Sequence, residues 1–104
     1  MEAFAALGDP TRRQIVEMLA DGERSAGDIA RRFTLSQPSV SQHLRTLRDA
    51  GLVQTRRDAQ RRMYSIDPRG LQRIDAWLSR YRAFWNSHLD ALERALTEPT
   101  EDKR

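Results

Sequence analysis

Residues 36–53, SQPSVSQHLRTLRDAGLV, commit the centre of the chain to one helix with two chemically distinct faces. Val40, Leu44 and Leu47 recur at i, i+4 and i+7, the stripe of a helix docked on a core. The opposite arc carries Ser39, Gln42, Arg45, Thr46 and Asp49, with Gln37 and Ser41 on its flanks. Ser36 stands where an N-cap is needed, and Pro38 falls in the first turn, where its missing N–H leaves no bond unmade. Gly51 follows as a C′ residue, after which Leu52 and Val53 open an extended segment. Periodicity alone allows a docked helix any polar face. The residue types narrow it: Gln, Ser and Arg reach base edges and phosphates, and here they stand where a recognition helix meets the major groove.

Charge falls where that reading needs it. The net charge of +3 over 104 residues looks small, yet residues 23–70 carry ten arginines against five acids. Residues 1–22 carry two basic and four acidic side chains, and the remainder of the chain cancels. Positive excess over the segment with the reading helix is the electrostatic footprint expected for nucleic acid. The near-exclusive use of Arg, with Lys103 the single lysine, fits a GC-rich genome equally well. At this length one domain is expected. Absence of cysteine removes disulfides, thiolate nucleophiles and thiolate metal sites together. MEAFAALGDP has neither a cationic start nor a long apolar run, so a cytoplasmic location is expected.

Around the reading helix the chain resolves into short elements. Residues 2–7 form an apolar turn or helix with Phe4 and Leu7 as anchors. Asp9-Pro10 then caps and opens a helix carrying Ile15, Val16 and Leu19, ended by Asp21-Gly22. Ser25 and Asp28 have capping-box spacing ahead of Ile29, Ala30 and Phe33, and a short break at Thr34-Leu35 leads to Ser36. Two helices so closely joined, the second with a reading face, carry the helix-turn-helix signature. Residues 52–57 and 62–66 read as a hairpin with Val53, Tyr64 and Ile66 inward, and Arg56, Arg57, Arg61 and Arg62 near its tip. Taken alone, such a ribbon is a charge-protected edge. Following a reading helix, it is better explained as a wing that grips phosphate.

After the break at Asp67-Pro68-Arg69-Gly70, one long helix is expected from about 71 to 96, roughly 39 Å at ~1.5 Å per residue. Leu71, Ile74, Leu78, Tyr81, Trp85, His88, Leu92 and Ala95 make one stripe on it, and Trp77, Phe84 and Ala91 a second. One stripe can pack on its own domain; two call for a second copy of the chain. The dimer surface expected from this pattern comprises Trp77, Leu78, Tyr81, Phe84, Trp85, His88 and Leu92, joined by Phe4 and Leu7. Residues 1–96 are thus expected to form the DNA-binding and dimerisation domain, and 97–104 a flexible tail.

GDPTRRQIVEML, the SQPSVSQHLRTLRDAGLV block and an arginine wing ending in RRMYSID together resemble the ArsR/SmtB-type winged helix-turn-helix repressors, over roughly residues 3–96. The resemblance implies a mainly α fold with a small β-hairpin, in the order α-α-α-α-β-β-α, dimerising through the long C-terminal helix. It implies a bacterial homodimer that binds a palindromic operator and releases it to an inducer. Carried over position by position, Gln37, Ser39, Ser41, Gln42 and Arg45 lie near the DNA, and His43, beside the inward stripe, reads as a packing residue rather than a base reader. One metal site of the family uses Cys-x-Cys at the start of the helix before the reading helix, and Ser25 and Gly27 stand there. Another uses Asp-x-His with a later His and acid, where this chain has Asp75, Trp77, His88 and Ala91, two ligand types of the four. No metal and no cofactor are therefore expected. RYRAFWNSHLDALERAL resembles the metal-independent branch, whose inducer, a small molecule, is often unknown.

These readings converge on a sequence-specific transcriptional regulator, a repressor of its own operon, with residues 36–50 reading bases and the arginine-rich wing at 54–65 holding phosphate. The rival reading is a winged-helix module for protein or RNA, which fold alone leaves open; a metal-responsive repressor fits less well. An enzyme is excluded by chemistry: the two histidines have no nucleophile or acid constellation, and there is no glycine-rich phosphate loop.

Overall fold

The computed structural model describes residues 2–97. Among these residues six helices and three strands follow one another: α1 Glu2–Ala6, α2 Pro10–Ala20, β1 Arg24–Ser25, α3 Ala26–Arg32, α4 Gln37–Asp49, β2 Val53–Asp58, β3 Arg61–Ile66, α5 Pro68–Ser79 and α6 Arg82–Thr97. By contacts the chain divides into two compact units, residues 1–74 and 75–104. None of the described helices is long and apolar enough to cross a membrane.

The first unit is organised around α4. Val40, Leu44 and Leu47 are at most 1% exposed, and they join Ile15, Leu19, Ile29, Leu52, Val53 and Tyr64 in a single core. Each Leu or Ile buried there contributes about 1.5–3 kcal/mol. Local chemistry sets the helix ends. Asp9 Oδ1 accepts from the N–H groups of Thr11 and Arg12 at 2.8 and 3.1 Å, and Ser25 Oγ accepts from Asp28 N–H at 3.1 Å. Hydrogen bonds to their carboxylates hold both aspartates below the usual range: for Asp9 the Arg12 N–H leads, for Asp28 the Ser25 hydroxyl. Ser36 Oγ caps α4 through Ser39 N–H at 3.3 Å. At the other end Gly51, with φ +76°, donates to Arg48 O while Leu52 donates to Leu47 O, both at 3.0 Å, a Schellman turn. The start of α5 docks on that turn: Gly70 N–H donates to Gly51 O at 2.8 Å, and a Cβ at Gly70 would sit 2.5 Å from the same oxygen.

Several details correct the sequence reading. The hairpin carries a third strand: β1 pairs antiparallel with β3, Arg24 opposite Tyr64 and Ser25 opposite Met63, giving the sheet order β1-β3-β2. The wing turn is tighter than four residues, because Asp58 and Arg61 are partners and only Ala59 and Gln60 lie between them. α1 is anchored by Ala3 and Ala6, 1% and 2% exposed; Leu7, just after it, packs half-buried against the same core, and Phe4 is half-buried. The C-terminal helix is not continuous. It ends at Ser79, whose hydroxyl donates to Ala76 O at 2.8 Å, and resumes at Arg82. Arg80 and Tyr81 N–H groups reach back three residues, to Trp77 O and Leu78 O. Thr97, assigned to the tail, is the last residue of α6; the rest of that tail, 98–104, lies outside the described residues.

Candidate nucleic-acid interface

The capped, core-docked α4 presents its other face to solvent. Gln37, Ser39, Ser41, Gln42 and Arg45 are all exposed. The side chains of Gln37, Ser41, Gln42 and Arg45 make no hydrogen bond among the described residues, so their donors and acceptors are available; Ser39 Oγ accepts from Ser36 Oγ at 3.3 Å. His43 is half-buried, and its Nδ1 lies 3.4 Å from Arg12 Nη1, whose own Nε donates to Ala6 O at 2.6 Å. It ties the helix to α1 and α2 instead of presenting itself outward.

Strand alternation divides the wing arginines between two faces. Arg57 is opposite Arg62 in the register, on the face of Thr55 and Tyr64, and Arg56 is opposite Met63, on the face shared with Arg61. All four are exposed. Arg56 is already engaged, its Nε and Nη2 donating to Glu23 Oε2 and Oε1 at 2.8 and 2.7 Å. Glu23's bonds and charge raise Arg56's pKa further above its ordinary value. The guanidiniums of Arg57, Arg61 and Arg62 make no ion pair or hydrogen bond among the described residues. Sequence reasoning missed Glu23 because strand β1, which follows it and brings it beside the hairpin, has no local signal. It also missed Arg48, exposed one turn beyond Arg45 on the same helix edge, a pairing the i, i+3 spacing announces.

The residues expected to form a dimer surface are largely bare in the single chain. Trp77 and Tyr81 are each 42% exposed, Phe84 65% and Leu92 55%; His88 is exposed, while Leu78 and Trp85 are half-buried. Trp77 and Tyr81 rings stack tilted with centroids 4.9 Å apart, and Phe84 and His88 at 4.3 Å, with His88 Nδ1–H donating to Phe84 O at 2.8 Å. Leu89 and Leu96, 56% and 75% exposed, lie at i+4 and i+11 from Trp85 and share one stripe of α6 with it and Leu92, although the sequence reading named neither leucine.

The positions of the metal sites named above offer a poor donor set. Ser25 is 7% exposed and spent on its cap, Gly27 has no side chain, and Trp77 and Ala91 supply no ligand atom. Asp75 is paired with Arg82. Among the described residues no group of three or more His, Cys, Asp and Glu is placed to hold an ion.

Residues 9–55 match the family of bacterial regulatory proteins described as arsR. Over 100 residues the chain is 41% identical to the HTH-type transcriptional regulator Rv2034 of Mycobacterium tuberculosis, covering 96% of this chain and 91% of that one. It is 41% identical over 75 residues to the transcriptional repressor SdpR of Bacillus subtilis, covering 72% of this chain and 83% of that one. The solved structure of an ArsR-like transcriptional regulator from Rhodococcus sp. RHA1 superposes with a TM-score of 0.70 at 29% identity, covering 95% of this chain and 92% of that one.

Proposed function

The chain belongs to the arsR family of bacterial regulatory proteins and is a DNA-binding transcriptional regulator, not an enzyme; from that premise we propose that it acts in the cytoplasm as a homodimeric repressor of its own operon. In this reading α4 enters the major groove of a palindromic operator and the wing holds the flanking backbone. The observation that carries it is the pairing of an unspent polar face on α4 with a hairpin bearing three uncommitted arginines. Phosphate contacts supply affinity that is independent of sequence, and base-edge contacts supply discrimination. The bare aromatic and leucine surface of residues 77–96 is the expected cover for a second copy, which would set two reading helices about one DNA turn apart. A small-molecule inducer would release DNA by preferring a dimer geometry with a different separation. No step requires a metal, consistent with the donor set at the family's sites.

Selection of bound DNA from a random pool tests this directly. The expected product is a two-fold symmetric sequence that recurs upstream of the protein's own gene. An asymmetric or absent consensus would contradict the homodimer, and a palindrome missing from that promoter would contradict autoregulation.

A further inference from the structure

Between α4 and β3 lies a cleft of about 220 Å³ lined by Ser41, Leu44, Arg45, Arg48, Arg62 and Tyr64. Arg45 and Arg48 enter it from one edge of the helix, and Arg62 enters from the hairpin face it shares with Tyr64. No carboxylate lines the cleft, and none of its three guanidiniums makes an ion pair or hydrogen bond among the described residues. The Tyr64 hydroxyl makes none there either, although the residue is only 9% exposed. Four other arginines are paired with a carboxylate: Arg31 with Asp28, Arg56 with Glu23, Arg69 with Asp67 and Arg82 with Asp75. Three like charges converging on one cleft repel one another, and an anion between them turns that repulsion into attraction. Guanidinium forks match phosphate oxygens in geometry as well as charge. The floor is firm, since Leu44 is fully buried in the core.

We propose that this cleft seats a backbone phosphate of the bound DNA, held by Arg45, Arg48 and Arg62. This rests on the reading of the chain as a DNA-binding regulator and refines it. Arg48 becomes a phosphate ligand, and Arg45 a holder of backbone instead of a reader of bases. Discrimination is left to the neutral side chains of α4, Gln37 and Gln42 foremost. Because the two sides of the clamp come from different elements, the phosphate fixes the depth of α4 in the groove relative to the wing.

The test uses the full chain and two duplexes, the one the parent selects and a scrambled one of equal composition, titrated between about 50 and 200 mM salt. Arg45→Ala, Arg48→Ala and their double variant should weaken both duplexes by the same factor, leaving the ratio between them unchanged. In a dimer the double variant loses one phosphate contact per subunit, so its salt slope should fall by about 2. Arg48→Lys, which keeps the charge, should retain most of the slope, whereas Gln42→Ala should lower the ratio. Both arginines are exposed, and melting temperatures equal to the parent's establish that the variants fold. A loss confined to the selected duplex with the slope unchanged would make Arg45 a base reader and overturn the proposal, as would no loss at all. A parent that selects no duplex from a random pool would refute the regulator reading itself, a failure separable from that of the cleft.

Discussion

At the scale of single residues, the wing tip carries a conformation its side chain disfavours. Ala59 has φ +59° as the first of two turn residues, and Gln60 is not in that region. Positive φ at the first position alone is the pattern of a type II′ turn, which ordinarily takes Gly there. A non-glycine residue in the left-handed region costs about 1–2 kcal/mol, offset in part by the looser unfolded chain a glycine would give. Ala59→Gly should therefore stabilise the protein by about 0.5–1 kcal/mol, a rise of a few degrees in melting temperature for a domain this size. Thermal unfolding checks it; an unchanged or lower midpoint would mean the turn relaxes without strain. Sequence rules place Gly at such a turn, so nothing in Asp58-Ala59-Gln60-Arg61 announced it as a two-residue loop. The same blindness hid the partner of Arg56, because Glu23 is distant in sequence and reaches the hairpin only through β1.

At the scale of elements, α4 and the start of α5 are joined by a short polar stitch. Asp67 N–H donates to Leu52 O at 3.0 Å, its Oδ1 accepts from Arg69 N–H at 3.0 Å, and its carboxylate pairs with Arg69 Nη2 at 2.6 Å. Asp67 is 2% exposed, and the Arg69 side-chain bond, followed by the backbone bond, holds its carboxyl below the ordinary range despite burial. A depressed folded-state pKa gives stability that is present above the unfolded value, about 3.9, and is lost as pH falls through the folded value. The urea midpoint should accordingly fall below about pH 4, and Asp67→Asn should start lower at neutral pH but lose less on acidification. Parallel acid limbs in parent and variant would show that Asp67 carries none of that dependence. The end of α4 was legible in the sequence because Gly51, the stripe at Val40, Leu44 and Leu47, and Ser36 all spoke locally and agreed. The break between α5 and α6 was not, since WLSRYRAFW contains neither Pro nor Gly. Strand β1 was invisible for a different reason: two residues have no periodicity, and their pairing with Tyr64 and Met63 exists only in the folded chain.

At the scale of the whole molecule, the account depends on two copies acting together. Trp77, Tyr81, Phe84, Leu89, Leu92 and Leu96 are all exposed, and large apolar side chains gathered on one surface are what a partner copy covers. Covering it would link two reading helices, so that the second half-site is bound at a high effective concentration. Regulation by an inducer would need only a shift in the distance between them. The most direct measurement is the affinity of the parent for its selected palindrome, compared with a duplex in which about five extra base pairs, half a turn, separate the half-sites. Two helices held on one face of the DNA predict a loss of about 10²–10⁴-fold on insertion, down to the affinity of a single half-site. Equal binding to both duplexes would contradict a symmetric dimer that reads two half-sites at once.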